Sequence, residues 1–322
     1  MKILILLAII CVIREDKSTT KVRVVFDGSA CSKENSISLN DRLEVGENFI
    51  PPLFETLLRF RLHAVALTSD IEKAFLQIEV KDSDRDFLRF LWFDNIVDDV
   101  RNVIQFRIKR LPFGLTCSPA ILGATIRHHI DSFSEKHPEA VKVLRRLYCD
   151  DLSCGADSVD QAFDIYQQSK SIMAAGGFNL RKWNTNCREL RDKIYLSENI
   201  LGNGNTPEIP QTVQEDDQSY GKFTVGLPIN DNKILGLYWD TARDSLYVSL
   251  QGLDSFAKSL PPTKRSVLKL AAKIFDPFGL YSIFVINIKN LFQPNFPGTK
   301  SYRVTISLSM TVLSGNSNRY NA

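Results

Sequence analysis

The chain has 322 residues, 44% of them apolar and 24% charged, with a formal charge of +3, values ordinary for a soluble globular protein longer than one average domain. That mildly basic balance permits a nucleic-acid partner without demanding one. Six cysteines (Cys11, Cys31, Cys117, Cys149, Cys154 and Cys187) are scattered without a C-x-x-C pair, and the four histidines add no zinc spacing, so reduced intracellular thiols are the simplest reading.

Taken in order, the chain begins with an unbroken apolar run, Ile3 to Ile13, behind Met1-Lys2. It resembles the front of a secretory signal peptide but is too short to span a bilayer. Arg14-Glu15-Asp16 follows in place of a small-x-small cleavage site, which favours a buried strand or a displaced chain start. Lys21 to Phe26 alternates as a strand, and Asp27-Gly28-Ser29 turns it. Cys31 to Gly46 is polar and loop-like. Pro51-Pro52 opens a short helix through Leu57 and Phe60.

Ala64 to Leu67 is an apolar strand that delivers Ser69-Asp70. Asp70 is either a helix N-cap or a carboxylate presented at the end of a buried strand. Phe87 to Phe93 and Val103 to Ile108 predict a β-pair, with Gln105, Arg107 and Lys109 forming a basic polar row that faces water or phosphates. Leu111-Pro112-Phe113-Gly114-Leu115 is a turn with an exposed aromatic. Ser118-Pro119 predicts a helix start, hydroxyl at the N-cap and proline at N1, continuing with Leu122, Ile126, Ile130 and Phe133 on one face.

Leu147 to Cys154 then holds two adjacent carboxylates between strand-forming residues, predicting a hairpin with Asp150-Asp151 at its tip. The pair is either a solvated turn, which aspartate favours, or part of a divalent-cation site completed by a carboxylate from elsewhere in the chain. Asp157 or Ser158 caps a further helix with Ala162, Ile165, Tyr166, Ser169 and Met173 inward, ended by Gly176-Gly177. The order fits an α+β sandwich, helices on one side of an antiparallel sheet. Tyr195 to Lys222 is predicted as a long loop. Lys233 to Trp239 and Ser245 to Leu250 make a hairpin around Thr241 to Asp244. Thr263 starts a helix through Leu268, Ala271 and Phe275, stopped at Asp276-Pro277-Phe278-Gly279, and a second apolar helix runs from Ser282 to Phe292. From Pro294 the chain is a Ser/Thr-rich tail without periodicity.

Seven segments in this order resemble the reverse transcriptase of Bel/Pao-type LTR retrotransposons. They are Lys21-Val-Arg-Val-Val-Phe-Asp-Gly-Ser-Ala30, Ser69-Asp-Ile-Glu-Lys-Ala-Phe-Leu-Gln77, Leu111-Pro-Phe-Gly-Leu115 with Ser118-Pro119, Tyr148-Cys-Asp-Asp151, Phe178-Asn-Leu-Arg-Lys-Trp183, Ile234-Leu-Gly-Leu237 and Phe275-Asp-Pro-Phe-Gly279. The resemblance implies a right-hand polymerase: fingers and palm over residues 14–250, an antiparallel palm sheet backed by helices, and an incomplete thumb or connection over 251–293. Residues 1–13 and 294–322 fall outside it, so the chain is expected to be a fragment of a Pol polyprotein.

The resemblance also supplies the third carboxylate. Asp70, Asp150 and Asp151, with the Ile71 backbone carbonyl, are implied to hold two Mg²⁺ ions, Mn²⁺ being the substitute. Lys21, Arg23, Ala74, Phe75, Phe113, Gly114 and Lys182 are implied to line the deoxynucleoside triphosphate site. Phe75 would abut the ribose 2′-position, and Lys182 would neutralise or protonate the leaving pyrophosphate. Leu235, Gly236 and Leu237 are implied to grip the primer. The implied partners are an RNA or DNA template with its primer and deoxynucleoside triphosphates, and the implied setting is a cytoplasmic retroelement particle. The N-terminal apolar run keeps secretion open as the alternative to that setting. A catalytically inactive, nucleic-acid-binding remnant is the alternative to an active polymerase.

Overall fold

The computed structural model describes residues 6–13, 22–31, 37–93, 102–202, 233–248, 250, 252–261, 263–283 and 285–286. The chain divides into two units, residues 1–226 and 227–322.

In the first unit the N-terminal apolar run supplies strand β1 (Ala8–Ile13), antiparallel to β2 (Val22–Asp27), with Ala8 opposite Asp27. The expectation of a buried strand is corrected: Leu7 is buried, but Ile10, Val12 and Ile13 are exposed. A two-stranded ribbon has little to pack against, so much of its apolar surface stays in water. Helix α1 (Leu53–Phe60) begins after Pro52 as its sequence predicts, and buries Leu57 and Phe60. Strand β3 (Val65–Ile71) runs into a 3₁₀ segment, Ala74–Gln77.

Strands β4 (Arg89–Phe93) and β5 (Val103–Arg107) form the predicted antiparallel pair, Phe90 opposite Phe106. The basic row is not free for phosphates at Arg107, which is held by Asp82 and Asp86, while Arg89 also binds Asp86. Helix α2 (Ser118–Asp131) carries Pro119 in its first turn. Ser118 is not its N-cap, however. Cys117 occupies that position, and the Ser118 hydroxyl donates to the Pro112 carbonyl at 2.8 Å, pinning the preceding turn.

Helix α3 (Pro138–Leu144) has no counterpart among the predicted elements. After β6 (Asp151–Ala156) comes α4 (Val159–Ala175), capped by Ser158, whose hydroxyl accepts the Gln161 N–H. Strand β7 (Leu180–Thr185) leads to α5 (Arg188–Gly202). That helix corrects the loop predicted from Tyr195, as far as Gly202. Leu190 and Ile194 are buried one turn apart, and Glu198 a turn later binds Tyr166 and Lys170 of α4. Residues 203–222 of that predicted loop lie outside the described residues.

The core follows from one three-stranded antiparallel sheet, order β6-β3-β7. Period-two alternation sends Val65, Leu67 and Ile71 of β3 to one face with Leu152 and Ala156 of β6. Against them pack Leu122, Ile126 and Ile130 of α2, Val141 and Leu144 of α3, Ile165, Tyr166 and Met173 of α4, and Leu190 and Ile194 of α5. The opposite face carries Thr68 and Asp70 of β3, paired with Ser153 and Asp151 of β6. Helices therefore cover the apolar face and leave the polar face to the acidic residues.

In the second unit, β8 (Lys233–Ile234), β9 (Leu237–Asp240) and β10 (Ser245–Tyr247) form an antiparallel sheet. The single strand predicted over Lys233 to Trp239 is corrected to two. Leu235 and Gly236 turn the chain, both at positive φ (48° and 94°), the signature of a type I′ hairpin. Helices α6 (Leu253–Ser259) and α7 (Lys264–Lys273) follow. The Thr263 hydroxyl caps α7 as predicted, but Phe275 lies beyond its end. The predicted helix from Ser282 to Phe292 falls mostly outside the described residues, as does the tail. Among the described residues no helix is long and apolar enough to cross a membrane.

Candidate active site

The acidic hairpin is built by its backbone. Tyr148 and Asp151 exchange both main-chain hydrogen bonds, at 2.9 and 3.0 Å, leaving Cys149 and Asp150 as the two-residue tip. The predicted Asp-Asp tip is thus displaced by one residue. Asp150 sits in the turn, and Asp151 is the first residue of β6. Cys149 takes φ of 59°, a left-handed conformation that hairpin tips usually give to Gly, Asn or Asp. Its thiol is pushed up to about 12 by burial and by the Asp150 carboxylate beside it, so it stays protonated and unreactive at neutral pH.

The hairpin lies against the end of β3. Asp70 is the register partner of Asp151, and the Ile71 N–H donates to the Asp150 carbonyl at 2.9 Å. Asp70, Asp150 and Asp151 therefore share one end of the sheet, although Asp70 stands eighty residues before Asp150 in the chain. Of the predicted metal site, Ile71 contributes this main-chain bond.

The third strand delivers the cations. The pairing of β3 with β7 shifts by one residue between Thr68 and Asp70, which makes a β-bulge at Lys182-Trp183. Lys182 has φ of 54°, a left-handed conformation that costs a non-glycine residue about 1–2 kcal/mol. The bulge has a clear use. It lets Leu180 on one side, and Trp183 and Thr185 on the other, all be buried, which unbroken alternation would not allow. It also aims Lys182 at the carboxylates, with Nζ 2.8 Å from Asp70 Oδ2. Arg181 Nε lies 3.3 Å from Asp70 Oδ1, and its guanidinium also binds Glu72 at 3.0 Å. Asn179 Nδ2 donates to the other Glu72 oxygen at 3.0 Å. Arg181 and Glu72 lie within two of the seven motifs but carry no signature of their own, because an ion pair between a strand end and a bulge leaves no trace in sequence spacing.

The electrostatics record the crowding. Burial raises the Asp150 carboxyl above its ordinary value, and the Asp70 charge adds to this. Burial likewise pushes Asp151 up to about 6, with the Asp150 and Asp70 charges contributing. Hard carboxylate oxygens with unrelieved negative charge are the donor type that Mg²⁺ takes. The donor chemistry fits, but the geometry is not yet closed. Among the described residues no three His, Cys, Asp or Glu side chains stand in a metal-holding group. Both Asp70 oxygens are paired instead with Lys182 and Arg181.

The remaining predicted residues that are described fall in three places. Ala74 and Phe75 are buried in the 3₁₀ segment, and the Phe75 ring meets Phe113 edge-on with centroids 4.6 Å apart. Phe113 is about half exposed, and Gly114 beside it takes φ of 97°. Arg23 lies in β2 opposite Val12, and Lys21 lies outside the described residues. Leu235, Gly236 and Leu237 belong to the second unit. Leu237 is buried there, and a Cβ at Gly236 would come within 2.6 Å of the Phe275 ring.

The family model described as reverse transcriptase (RNA-dependent DNA polymerase) matches residues 18–187, more than half of the chain and inclusive of every residue of this cluster. Among solved structures, a foamy viral protease–reverse transcriptase in complex with an RNA/DNA hybrid is similar, with a TM-score of 0.56 and 13% identity. The foamy viral protease–reverse transcriptase dRH in complex with double-stranded DNA matches with the same TM-score and identity. Each match covers 96% of this chain but only 33% and 43% of those chains, and at such identity the likeness shows the fold alone. Comparison with curated proteins finds no match.

Proposed function

This chain belongs to the reverse transcriptase (RNA-dependent DNA polymerase) family, and from that premise we propose that it extends a primer on an RNA or DNA template by nucleotidyl transfer. We further assign it, on the seven motifs, to the Pol polyprotein of a Bel/Pao-type retrotransposon. The observation that carries the proposal is the Asp70–Asp151 pairing, with Asp150 in the adjoining turn. Three carboxylates and no covalent nucleophile suit phosphoryl transfer, which is mostly positioning and charge neutralisation.

Asp70, Asp150 and Asp151 would hold divalent metal, Mg²⁺ or Mn²⁺ in its place. Bound there, the metal supplies activation of the primer 3′-hydroxyl and neutralisation of the triphosphate. The chain's own residues do the rest. Phe75 and Phe113, in edge-on contact, form an aromatic wall against which a deoxyribose would pack. Lys182, paired with Asp70, would neutralise or protonate the leaving pyrophosphate. Arg23 from the fingers strand would steady the triphosphate, and a donor fork suits phosphate better than an ammonium does. The foamy viral relatives, bound to an RNA/DNA hybrid and to duplex DNA, make a primed duplex the natural partner.

The test is primer extension on a primed homopolymer with matching deoxynucleotide and Mg²⁺. The chain should extend the primer, and Asp150→Asn should fall to background. Salt-sensitive binding of primed template with no incorporation would favour an inactive remnant instead. Full activity in the variant would contradict the metal assignment.

A further inference from the structure

Asn40 lies in the polar stretch after β2, and its side chain ties three separate segments together. Its Nδ2 donates to the Gly114 carbonyl at 2.9 Å and to the Ser29 hydroxyl at 2.8 Å. Its Oδ1 accepts the Thr116 N–H at 3.0 Å. Its own backbone N–H donates to the Gly28 carbonyl at 2.9 Å. A carbonyl can only accept and an N–H can only donate, so the amide orientation is fixed by its partners. Both amide hydrogens and the oxygen are engaged.

Two glycines make room for this arrangement. A Cβ at Gly114 would stand 1.9 Å from the Phe26 carbonyl oxygen, so the turn rests directly on the end of β2. At Gly28 a Cβ would meet Asn40 Oδ1 at 2.7 Å and the Gly114 carbonyl at 2.9 Å. The other end of the turn is pinned by Ser118 on the Pro112 carbonyl. Between the two anchors stands Phe113, whose ring meets the edge of Phe75. Main-chain bonds at 114 and 116 therefore set how far Phe113 stands over Phe75.

We propose that Asn40 is a positioning residue for the nucleotide site: it locks the 112–116 turn to the end of β2 and so fixes the Phe113–Phe75 wall against which the incoming nucleotide packs. The inference rests on the polymerase reading above. Nothing in the sequence isolates Asn40, because its partners lie about eleven residues before it and over seventy after it.

The test compares the full chain with Asn40→Ala and Asn40→Asp. Aspartate keeps the acceptor for Thr116 but sets a carboxylate against the Gly114 carbonyl. Both variants should raise KM for deoxynucleotide about tenfold, the effect of one or two hydrogen bonds lost. Turnover at saturating nucleotide and the affinity for primed template should stay within about twofold of the parent. Amide exchange at Thr116 should be slow in the parent and fast in Asn40→Ala, with exchange at Ile71 unchanged. An unaltered KM, or a uniform loss of turnover, template affinity and thermal stability, would overturn the proposal. So would a Thr116 amide that exchanges freely in the parent, a result that needs no variant to fold. A parent that incorporates nothing would sink the polymerase reading, while the exchange experiment would still decide whether Asn40 holds the turn.

Discussion

Asp151 is the residue at which the site's chemistry becomes measurable without substrate. A free aspartate loses its proton near 3.8, whereas native Asp151 holds it up to about 6 because burial and two neighbouring carboxylates oppose the charge. The folded chain binds this proton more tightly than the unfolded chain does. Stability contributed here is therefore lost as pH rises from the lower value through the higher, and the full cost is present above both. In metal-free solution Asp151→Asn should raise the melting temperature at about pH 7.5, with a gain that shrinks through pH 6 and is gone below about pH 4. A gain independent of pH, or none at neutral pH, would show that the carboxylate is not under this strain. At the same scale, Asp70, Asp150 and Asp151 were legible from motif order alone. Their meeting was not readable from spacing; it needed the resemblance, because antiparallel pairing across eighty residues leaves no local trace. Two adjacent aspartates read as one unit at the hairpin tip, whereas the backbone assigns Asp150 to the turn and Asp151 to the strand.

At the scale of elements, propensity found most strands and missed helices α3, α5 and α6, the first two for different reasons. Helix α3 is short and begins at Pro138 itself, where His137-Pro138 reads as a break. Helix α5 carries Ser197, Glu198, Asn199 and Gly202 in its last two turns, a composition that reads as loop. Packing overrides that composition: Leu190 and Ile194 are buried, and Glu198 caps the contact with α4. The Tyr166 hydroxyl, on a side chain almost wholly buried, donates to Glu198 at 2.5 Å and meets Ser197 at 3.1 Å, and Lys170 joins the same carboxylate. Glu198→Ala should destabilise the chain by about 1–3 kcal/mol in urea unfolding, the cost of leaving buried polar partners unmatched. Tyr166→Phe in that background should cost less than it does in the parent. Equal costs would mean that α5 is held by its apolar residues alone. The bulge in β7 belongs here too, since Leu180, Trp183 and Thr185 cannot all face inward on an unbroken strand.

For the whole molecule, a net charge of +3 gives only weak attraction to nucleic acid, and function depends on what one sheet end gathers. The first unit holds the acidic cluster, its cations and the aromatic wall. The second holds the hairpin at Leu235-Gly236. The proposed polymerase requires that Asp70, Asp150 and Asp151 together receive divalent metal, with Lys182 and Arg181 released from Asp70. That requirement is tested most directly by anomalous scattering from Mn²⁺ in crystals of the chain with a terminated primer–template and matching deoxynucleotide. Manganese bonded to carboxylate oxygens of Asp70 and Asp150, with Asp151 beside them and Lys182 withdrawn, is the predicted result. Manganese bound elsewhere, or an Asp70 that keeps both cations with nucleotide in place, would contradict it.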